Sequence, residues 1–342
     1  MRPGNYAFAL MMVMAGLFLA VIGTNLIIDP EAVLGTGMLG RSLNANDRYL
    51  EMRAYQTLPD RYDGVLFASS RGGAVPLDEL SRRMDGATFA NFAVTGGQIA
   101  DHLAVLEYIV RSKAAQGKRL RAAFLLLDAD FFGERPYGNR TIQSFWPPAL
   151  TGESSSRFIW RYLTAIQFGA WRSQIEYARS GRGAVLTEPS EQTQSQPTHV
   201  AESMARSASA AIAADAGPAI GRTSDQQGEL ITSRSDFERQ LAQLAKFVDL
   251  CGARGIKLAV ALSPLRRTVA IHYDQGDIAK TAERIAEIVP VWDFGSPQWL
   301  SDRTDLWFDN SHFRPEVAKM MLDRMFAGDV TNAPKDFGIL RH

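Results

Sequence analysis

The sequence has little cysteine and no excess of either charge. Cys251 is the single cysteine in 342 residues, which excludes an internal disulfide and a metal cluster held by several thiolates. Its 37 Lys and Arg residues balance 37 Asp and Glu residues, so the net charge is zero. Because DNA or RNA binding needs a basic surface that neutralises phosphates, nucleic acid is not a predicted partner. Cys251 ends an amphipathic pattern and is predicted to be a buried, inert thiol rather than a nucleophile.

Aromatic residues are missing from one long stretch. None occurs between Tyr177 and Phe237, where the sequence is instead rich in Ser, Ala, Gln, Thr and Gly. A segment of this composition cannot bury enough apolar surface to offset the entropy lost on ordering. Residues 183–232 are therefore predicted to be a flexible insertion in a folded domain.

The amino terminus carries a long apolar run without charge. Residues 6–28 would rise about 34 Å as a helix, enough to cross a hydrocarbon core of about 30 Å. A cleaved signal peptide is the alternative, but the run is longer than the apolar part of such peptides and lacks a small-x-small site. Arg2 precedes the run whereas Asp29 and Glu31 follow it, so residues 1–5 are predicted to be cytoplasmic. The prediction is a single-pass protein of the cytoplasmic (inner) membrane with its working domain in the periplasm or otherwise outside the cytoplasm.

Beyond a predicted turn-rich stalk at 29–60, short apolar runs alternate with amphipathic ones. This alternation favours a mostly parallel sheet with helices on both faces, a three-layer α/β domain over 61–330 with a tail at 331–342. The predicted strands are 64–69, 88–94, 120–130, 256–262 and 289–294, and the predicted helices are 76–84, 98–117, 235–254, 276–288 and 315–327.

Small and polar residues follow the first two predicted strands. Sites in parallel sheets form beyond the carboxyl ends of the strands, so Ser70 is a candidate nucleophile there. Its neighbour Arg71 is a candidate substrate-binding residue. Gly96 or Gly97, after the second strand, is a candidate to present a backbone N–H to an oxyanion, because glycine permits close approach. A tight turn without a chemical role is the alternative at both places.

The third predicted strand ends in two carboxylates. In the segment LLLDAD, Asp128 and Asp130 fall at the same predicted edge of the sheet as Ser70. Either side chain is a candidate for contact with a substrate, and helix capping is the alternative.

The segment FDNSHF, residues 308–313, contains His312, one of only five histidines. Asp309 lies three positions earlier, an offset that brings its carboxylate to the histidine Nδ1 within a turn. That contact would leave Nε2 to take a proton from a serine. A solvent-exposed turn is the alternative, but the segment lies between the last predicted strand of the domain and its last helix. No second histidine lies at ligand spacing from His312, so no metal site is predicted.

Together these segments resemble the SGNH (GDSL-type) esterase superfamily over roughly 60–133 and 235–327. The resemblance implies a flavodoxin-like fold with Ser70 as nucleophile and oxyanion donor, Gly96 as a second donor with Gly97 as its one-residue alternative, and Asp309 and His312 as the other members of a triad. Two departures stand out. Ala68 and Ser69 replace the family's Gly-Asp before the serine, and no asparagine follows the third strand.

With its N-terminal span, "IIDPEAVLG" and "SSRGG", the chain is more specifically similar to membrane-anchored, exported SGNH-like proteins of bacterial envelopes. Relatives of that kind act in O-acetylation of exopolysaccharides or D-alanyl transfer to teichoic acids. The resemblance implies an esterase or O-acyltransferase without a cofactor that acts on acyl, chiefly acetyl, groups of a cell-surface polysaccharide. An acyl-donor substrate and a multipass membrane acyltransferase are its implied partners. The alternative is a non-catalytic scaffold that binds glycan or supports such an acyltransferase.

The predicted insertion leads to a simple test. Limited proteolysis of the full-length protein should cut first within residues 183–232, because that segment has no aromatic side chains to anchor it. Mass spectrometry of the early fragments locates the cuts. If the whole segment resists protease while cuts accumulate elsewhere, the prediction is wrong.

Overall fold

The computed structural model describes residues 3–40, 42–129, 132, 145–180, 234–270, 275–296, 299–327, 334 and 336–342. The predicted flexible insertion, 183–232, and the candidate Asp130 lie outside the described residues.

The described helices and strands follow one another in chain order. The helices are α1 (Pro3–Ile28), α2 (Asp47–Thr57), α3 (Leu77–Arg83), α4 (Ile99–Ala115), α5 (Ser155–Thr164), α6 (Phe168–Arg179), α7 (Arg234–Ala253), α8 (Gln275–Ala286) and α9 (Pro315–Ala327). Single α-helical turns lie at Pro148–Thr151 and Arg267–Ala270, and 3₁₀ turns at Pro59–Arg61, Ser70–Ala74, Trp299–Asp302 and Thr304–Leu306. The strands are β1 (Gly64–Ser69), β2 (Phe89–Val94), β3 (Ala122–Leu127), β4 (Lys257–Leu262), β5 (Val291–Asp293) and β6 (Ile339–Arg341).

Contacts divide the chain into two compact units. The N-terminal unit comprises Met1–Met52 and Asn139–Gln196, and the sheet unit comprises Arg53–Gly138 and Pro197–His342. The sequence assigned the aromatic segment around 146–177 to the α/β domain, whereas the contacts group it with the N-terminal helix.

The sheet unit is built on a mixed six-stranded sheet in the order β2-β1-β3-β4-β5-β6. The first five strands are parallel, and β6 is antiparallel to β5. Every residue of β1, β2 and β3 is buried, which explains their nearly continuous apolar sequence. The mostly parallel α/β architecture expected from the alternating pattern is confirmed.

Helices cover the two faces of this sheet. On one face Leu66 and Phe124 belong to a core shared with α3 and α9. On the other, the Phe67 ring meets Phe247 of α7 edge to face at 5.2 Å and lies 5.8 Å from the ring of His102 in α4. The two faces use alternate residues of β1, as strand geometry requires.

The last strand was not expected from the sequence. Residues 339–341 fall in the predicted C-terminal tail, yet they pair with β5 and close that edge of the sheet. Arg341 also forms an ion pair at 2.7 Å with the fully buried Asp293. A strand of three residues is too short to show a recognisable alternating pattern. Its pairing with β5 therefore depends on contacts between residues distant in sequence.

The N-terminal unit contains α1, which from Asn5 to Ile28 is long and apolar enough to cross a membrane. The predicted stalk after it is compact. Asp29 accepts hydrogen bonds from the Gly35 amide at 2.7 Å and the Tyr162 hydroxyl at 2.8 Å. Val33, Phe145 and Phe158 pack with Tyr162 into a small core.

The chain connects β1 outward to β2 and then back across to β3, on the other side of β1. Where neighbouring connections leave a parallel sheet in opposite directions, a crevice opens at the carboxyl ends of the strands. Ser70 is the first residue after β1, so the topology puts it at this switch point.

The close packing of the turn after β1 can be tested at Gly72. A Cβ added there would overlap the Ala68 Cβ and lie 3.2 Å from the Ala93 Cβ. We expect Gly72→Ala to lower the free energy of unfolding by about 1–3 kcal/mol, the usual cost of overpacking. Chemical denaturation measures the change.

Gly252→Ala is the matched control, because Gly252 lies in α7 with open space around it. Alanine there should leave stability equal or raise it by up to about 1 kcal/mol. Equal effects of the two substitutions would contradict the packing described at Gly72.

Candidate active site

Ser70 begins a 3₁₀ turn at the carboxyl end of β1. Ser69, the residue before the turn, is buried and caps it by accepting a hydrogen bond from the Arg71 amide at 3.3 Å. Gly72 packs tightly on Ala68, so the chain turns sharply away from the strand. Ser70 itself remains partly exposed, as a nucleophile must.

The segment that carries His312 is a closed loop. Trp307 and Phe313 form an antiparallel β-bridge, and the Phe308 amide donates to the His312 carbonyl at 2.8 Å. Both bridge residues are buried in the core, so the loop between them rests on a fixed base. Sequence alone indicated only a turn at this place.

Asp309 organises the inside of this loop. Its Oδ1 accepts hydrogen bonds from the amides of Ser311 at 2.7 Å and His312 at 2.8 Å. Its Oδ2 lies 2.7 Å from Nδ1 of His312. One carboxylate therefore both shapes the loop and orients the imidazole.

The pKa of Asp309 follows from these contacts. Burial alone would raise the pKa of this carboxyl, but the hydrogen bonds from the His312 ring and the two amides, with the attraction of His312, hold it below its ordinary value. The group is therefore ionised at neutral pH. Its contribution to stability is present above the ordinary carboxyl pKa and is lost as the pH falls through the lowered one.

Ser70 and His312 meet although the chain places them 242 residues apart. Ser70 Oγ lies 2.9 Å from His312 Nε2. With Asp309 accepting from Nδ1, the neutral imidazole carries its proton there and turns the lone pair of Nε2 toward the serine hydroxyl. The predicted convergence of Ser70, His312 and Asp309 is present in the structure, in the geometry of a serine, a general base and its orienting carboxylate.

Arg71 does not face the crevice as a substrate-binding residue would. Its side chain is 2% exposed and forms an ion pair with Asp128 at 3.1 Å. Nε donates to the Ser311 carbonyl at 3.1 Å, and Nη1 donates to Ser263 Oγ at 3.2 Å. Ser263 also donates to Asp128.

These contacts give Arg71 a positioning role in place of the substrate contact expected from sequence. Asp128 is its ionic partner but also lines a small pocket with Gly97 and His102, so its predicted contact with a substrate stays a prediction. Oδ1 of Asp128 serves Arg71 and Ser263, whereas its buried Oδ2 has no hydrogen-bond partner among the described residues and so caps no helix there. The guanidinium ties the turn after β1 to the loop that carries His312, through Ser311. Asp130 lies outside the described residues.

Gly96 and Gly97, which follow β2, differ in how well they fit the predicted role of oxyanion donor. Gly97 donates its amide to the Val94 carbonyl at 2.9 Å, and a Cβ on it would lie 2.8 Å from the Ala68 carbonyl oxygen. Its amide is thus occupied by the turn, while its missing side chain lets this turn approach the end of β1. Gly96, with φ of 58°, adopts a left-handed conformation that favours glycine and is the remaining candidate for an oxyanion donor.

Sequence reasoning missed two members of the buried network, Ser263 and Ser311. Ser263 directly follows β4 and so lies at the same edge of the sheet as Asp128, a signal that could have found it. Ser311 lies within the recognised FDNSHF segment, but its contacts with Arg71 depend on tertiary packing. Across the described ranges, no group of three or more His, Cys, Asp or Glu side chains is arranged to hold a metal ion.

No model of a known protein family matches the chain, and no curated protein matches it.

The ion pair of Arg71 and Asp128 can be tested by removing one partner or both. Arg71→Met leaves a buried carboxylate without its cation and should cost about 3–5 kcal/mol of unfolding free energy. The double variant Arg71→Met, Asp128→Leu removes both charges and should be more stable than the single variant. Urea unfolding followed by circular dichroism measures the wild type, the single variants Arg71→Met and Asp128→Leu, and the double variant.

Arg71→Lys is the matched control, since it keeps the charge but cannot make the forked contacts to Ser311 and Ser263. We expect Arg71→Lys to lower the free energy of unfolding, but by less than Arg71→Met does. A double variant that is destabilised by the sum of both single losses would show that the two side chains do not act as a pair.

Proposed function

We propose that this protein is an exported, membrane-anchored, SGNH-like acyl esterase or O-acyltransferase that acts on ester-linked acyl groups, chiefly acetyl, of a cell-surface polysaccharide. The observation that carries the proposal is the continuous hydrogen-bonded series from Ser70 Oγ through the His312 ring to Asp309, with distances of 2.9 and 2.7 Å. A serine hydroxyl is a weak nucleophile by itself, and this arrangement is the usual means of activating one.

In the proposed reaction, Ser70 Oγ attacks the acyl carbonyl and its proton passes to His312 Nε2. The tetrahedral intermediate then collapses, the ester C–O bond breaks, and His312 gives the proton to the departing alcohol. Water or a sugar hydroxyl attacks the resulting acyl-serine, again with His312 as base, which regenerates Ser70. Hydrolysis and transfer differ only in this second nucleophile.

The oxyanion would be held by backbone groups. Ser70 begins its turn, so its own amide is a candidate donor, and the amide of Gly96 is the second. No asparagine follows β3, and Asp128 there is engaged with Arg71. The loss of one oxyanion donor typically costs about 10²–10³ in rate, so a slow esterase or a transferase aided by substrate binding is the form of enzyme that we propose.

Two further observations support this proposal. The strand order β2-β1-β3-β4-β5 is that of flavodoxin-like doubly wound sheets, the architecture implied by the SGNH resemblance. The apolar α1 is long enough to anchor the chain, and Arg2 before it favours a cytoplasmic N-terminus with the residues after α1 outside. A multipass membrane acyltransferase that supplies acyl groups is the partner that this location would suit.

One observation favours a second candidate function. The end of β3 contributes a structural carboxylate where an SGNH enzyme has an oxyanion-binding asparagine. A scaffold that binds glycan or supports a membrane acyltransferase would need no such donor. The proposed triad contact is the reason to prefer the enzyme.

Ser70→Ala separates the two functions. If Ser70 is the nucleophile, purified full-length protein should release p-nitrophenol from p-nitrophenyl acetate, and Ser70→Ala should lower the rate by at least about 10³-fold, as loss of a triad serine does. His312→Ala should be nearly as damaging, because triad members act as a unit.

Ser69→Ala is the matched control. Loss of its capping hydrogen bond should cost about 1 kcal/mol of stability but leave most of the activity.

The decisive assay is in cells that lack the gene, where the acyl content of the surface polysaccharide is measured after complementation. If the Ser70→Ala protein complements as well as the wild type, catalysis by Ser70 is wrong and the scaffold function replaces it.

A further inference from the structure

Three large apolar side chains of the N-terminal unit are exposed beside α1. Trp160 lies on α5, Ile166 follows it, and Phe168 begins α6, with exposures of 56%, 62% and 73%. We call these three residues the apolar rim. Trp160 lies on the opposite side of α5 from Phe158 and Tyr162, which are buried in the small core of this unit. The rim therefore faces away from the protein interior.

The rim is joined directly to α1. The rings of Phe18 and Trp160 lie 5.8 Å apart. Asn25, buried near the end of α1, donates to the carbonyls of Leu163 and Ala165, both at 2.8 Å, and accepts from the Trp171 indole at 2.8 Å. These contacts fasten α5 and α6 against the last turns of the apolar helix.

The length of the exposed part of α1 limits where a membrane surface lies relative to α5 and α6. Residues 5–20 are exposed throughout, whereas residues 21–25 are partly or fully covered. Sixteen exposed residues rise about 24 Å, which is about 6 Å less than a hydrocarbon core of about 30 Å. If α1 crosses a bilayer, the membrane must therefore extend past Val21 to the level of α5 and α6.

The charges near the apolar rim also fit a position of α5 and α6 at a membrane surface. Residues 145–180 contain four arginines against two glutamates, an excess of two positive charges. The side chains of Arg157 and Arg172 are each 81% exposed, close in sequence to Trp160 and Phe168. Apolar and aromatic residues flanked by basic ones are typical of helices that lie in the lipid headgroup region, with anionic lipids as neighbours.

We propose that the apolar rim inserts into the interface of the membrane that α1 spans, on the side where α1 ends, so that α5 and α6 form a second, monotopic contact with lipid. The inference rests on α1 as a membrane span and is independent of the chemistry of Ser70. Lipid is the expected occupant of the rim, because the rim is continuous with the exposed face of α1. It also explains why α1 needs a buried Asn25: the polar contacts hold the interfacial helices at a fixed depth.

Site-directed spin labelling tests this proposal in the full-length protein. The native Cys251 is buried, and burial raises the pKa of its thiol to about 12, so the label should react with introduced cysteines alone. Phe168→Cys reports on the rim. Met14→Cys, on the exposed part of α1, is the control in lipid, and Asp78→Cys, exposed on α3, is the control in water.

The labelled proteins are placed in vesicles of phosphatidylethanolamine and phosphatidylglycerol, and collisions with oxygen and with a nickel chelate are compared. The label at 168 should be shielded from the nickel chelate and accessible to oxygen, at a depth of about 5–10 Å below the headgroups. The label at 14 should lie deeper, and the label at 78 should collide freely with the chelate. Ile166→Cys repeats the measurement if Phe168→Cys fails to fold.

Three results would overturn the proposal, each for a different reason. If label 168 meets the chelate as freely as label 78 while label 14 is in lipid, α1 spans but the rim stays in water. If label 14 also meets the chelate, α1 is not a span and the rim has no membrane to enter. If label 168 is shielded from both reagents and shows dipolar broadening between labelled copies, the rim is covered by a second copy of the chain.

Discussion

The guanidinium of Arg71 connects most of what the candidate site depends on. It is almost wholly buried, and it contacts Asp128 after β3, Ser263 after β4 and Ser311 in the loop that carries His312. Burying a charged pair costs several kcal/mol of desolvation, and these hydrogen bonds offset that cost only while all of them are made. The network therefore favours one arrangement of three chain segments over nearby alternatives. Because Arg71 directly follows Ser70, the same interaction also holds the candidate nucleophile against its base.

Asp309 is the complementary constraint inside the loop. Its carboxylate accepts hydrogen bonds from two backbone amides and contacts the histidine Nδ1, so a change in the shape of the loop would break the contacts of a half-buried, ionised group. Arg71 thus fixes where the loop lies, and Asp309 fixes which way the imidazole points. The contact of Ser70 with His312 is the joint result, and neither residue could secure it alone.

The N-terminal unit is stabilised by a separate set of polar and aromatic contacts. Asn25, Asp29 and Tyr162 form polar contacts at the end of the apolar helix, where the predicted turn-rich stalk begins. The aromatic residues around α5 and α6 pack on these groups and leave the rim of Trp160, Ile166 and Phe168 exposed. The apolar helix, its polar contacts and the exposed rim are together the basis of the proposed contact with lipid.

The sequence by itself determined the local and periodic features of this protein. Alternating apolar runs predicted five strands and their helices to within a few residues. Burial on both faces of a strand and amphipathic spacing in a helix are visible in residues that are close together in the sequence. It also predicted that Ser70, at the end of a strand, would meet His312, and that Asp309, three positions before His312, would contact the imidazole. Tertiary structure alone decided the rest: the pairing of β6, the grouping of 145–180 with α1, and the burial of the Arg71 side chain in an ion pair with Asp128. These features depend on contacts between residues far apart in the chain, and a side chain's partner across such a distance is set by packing and by the cost of leaving a buried charge alone.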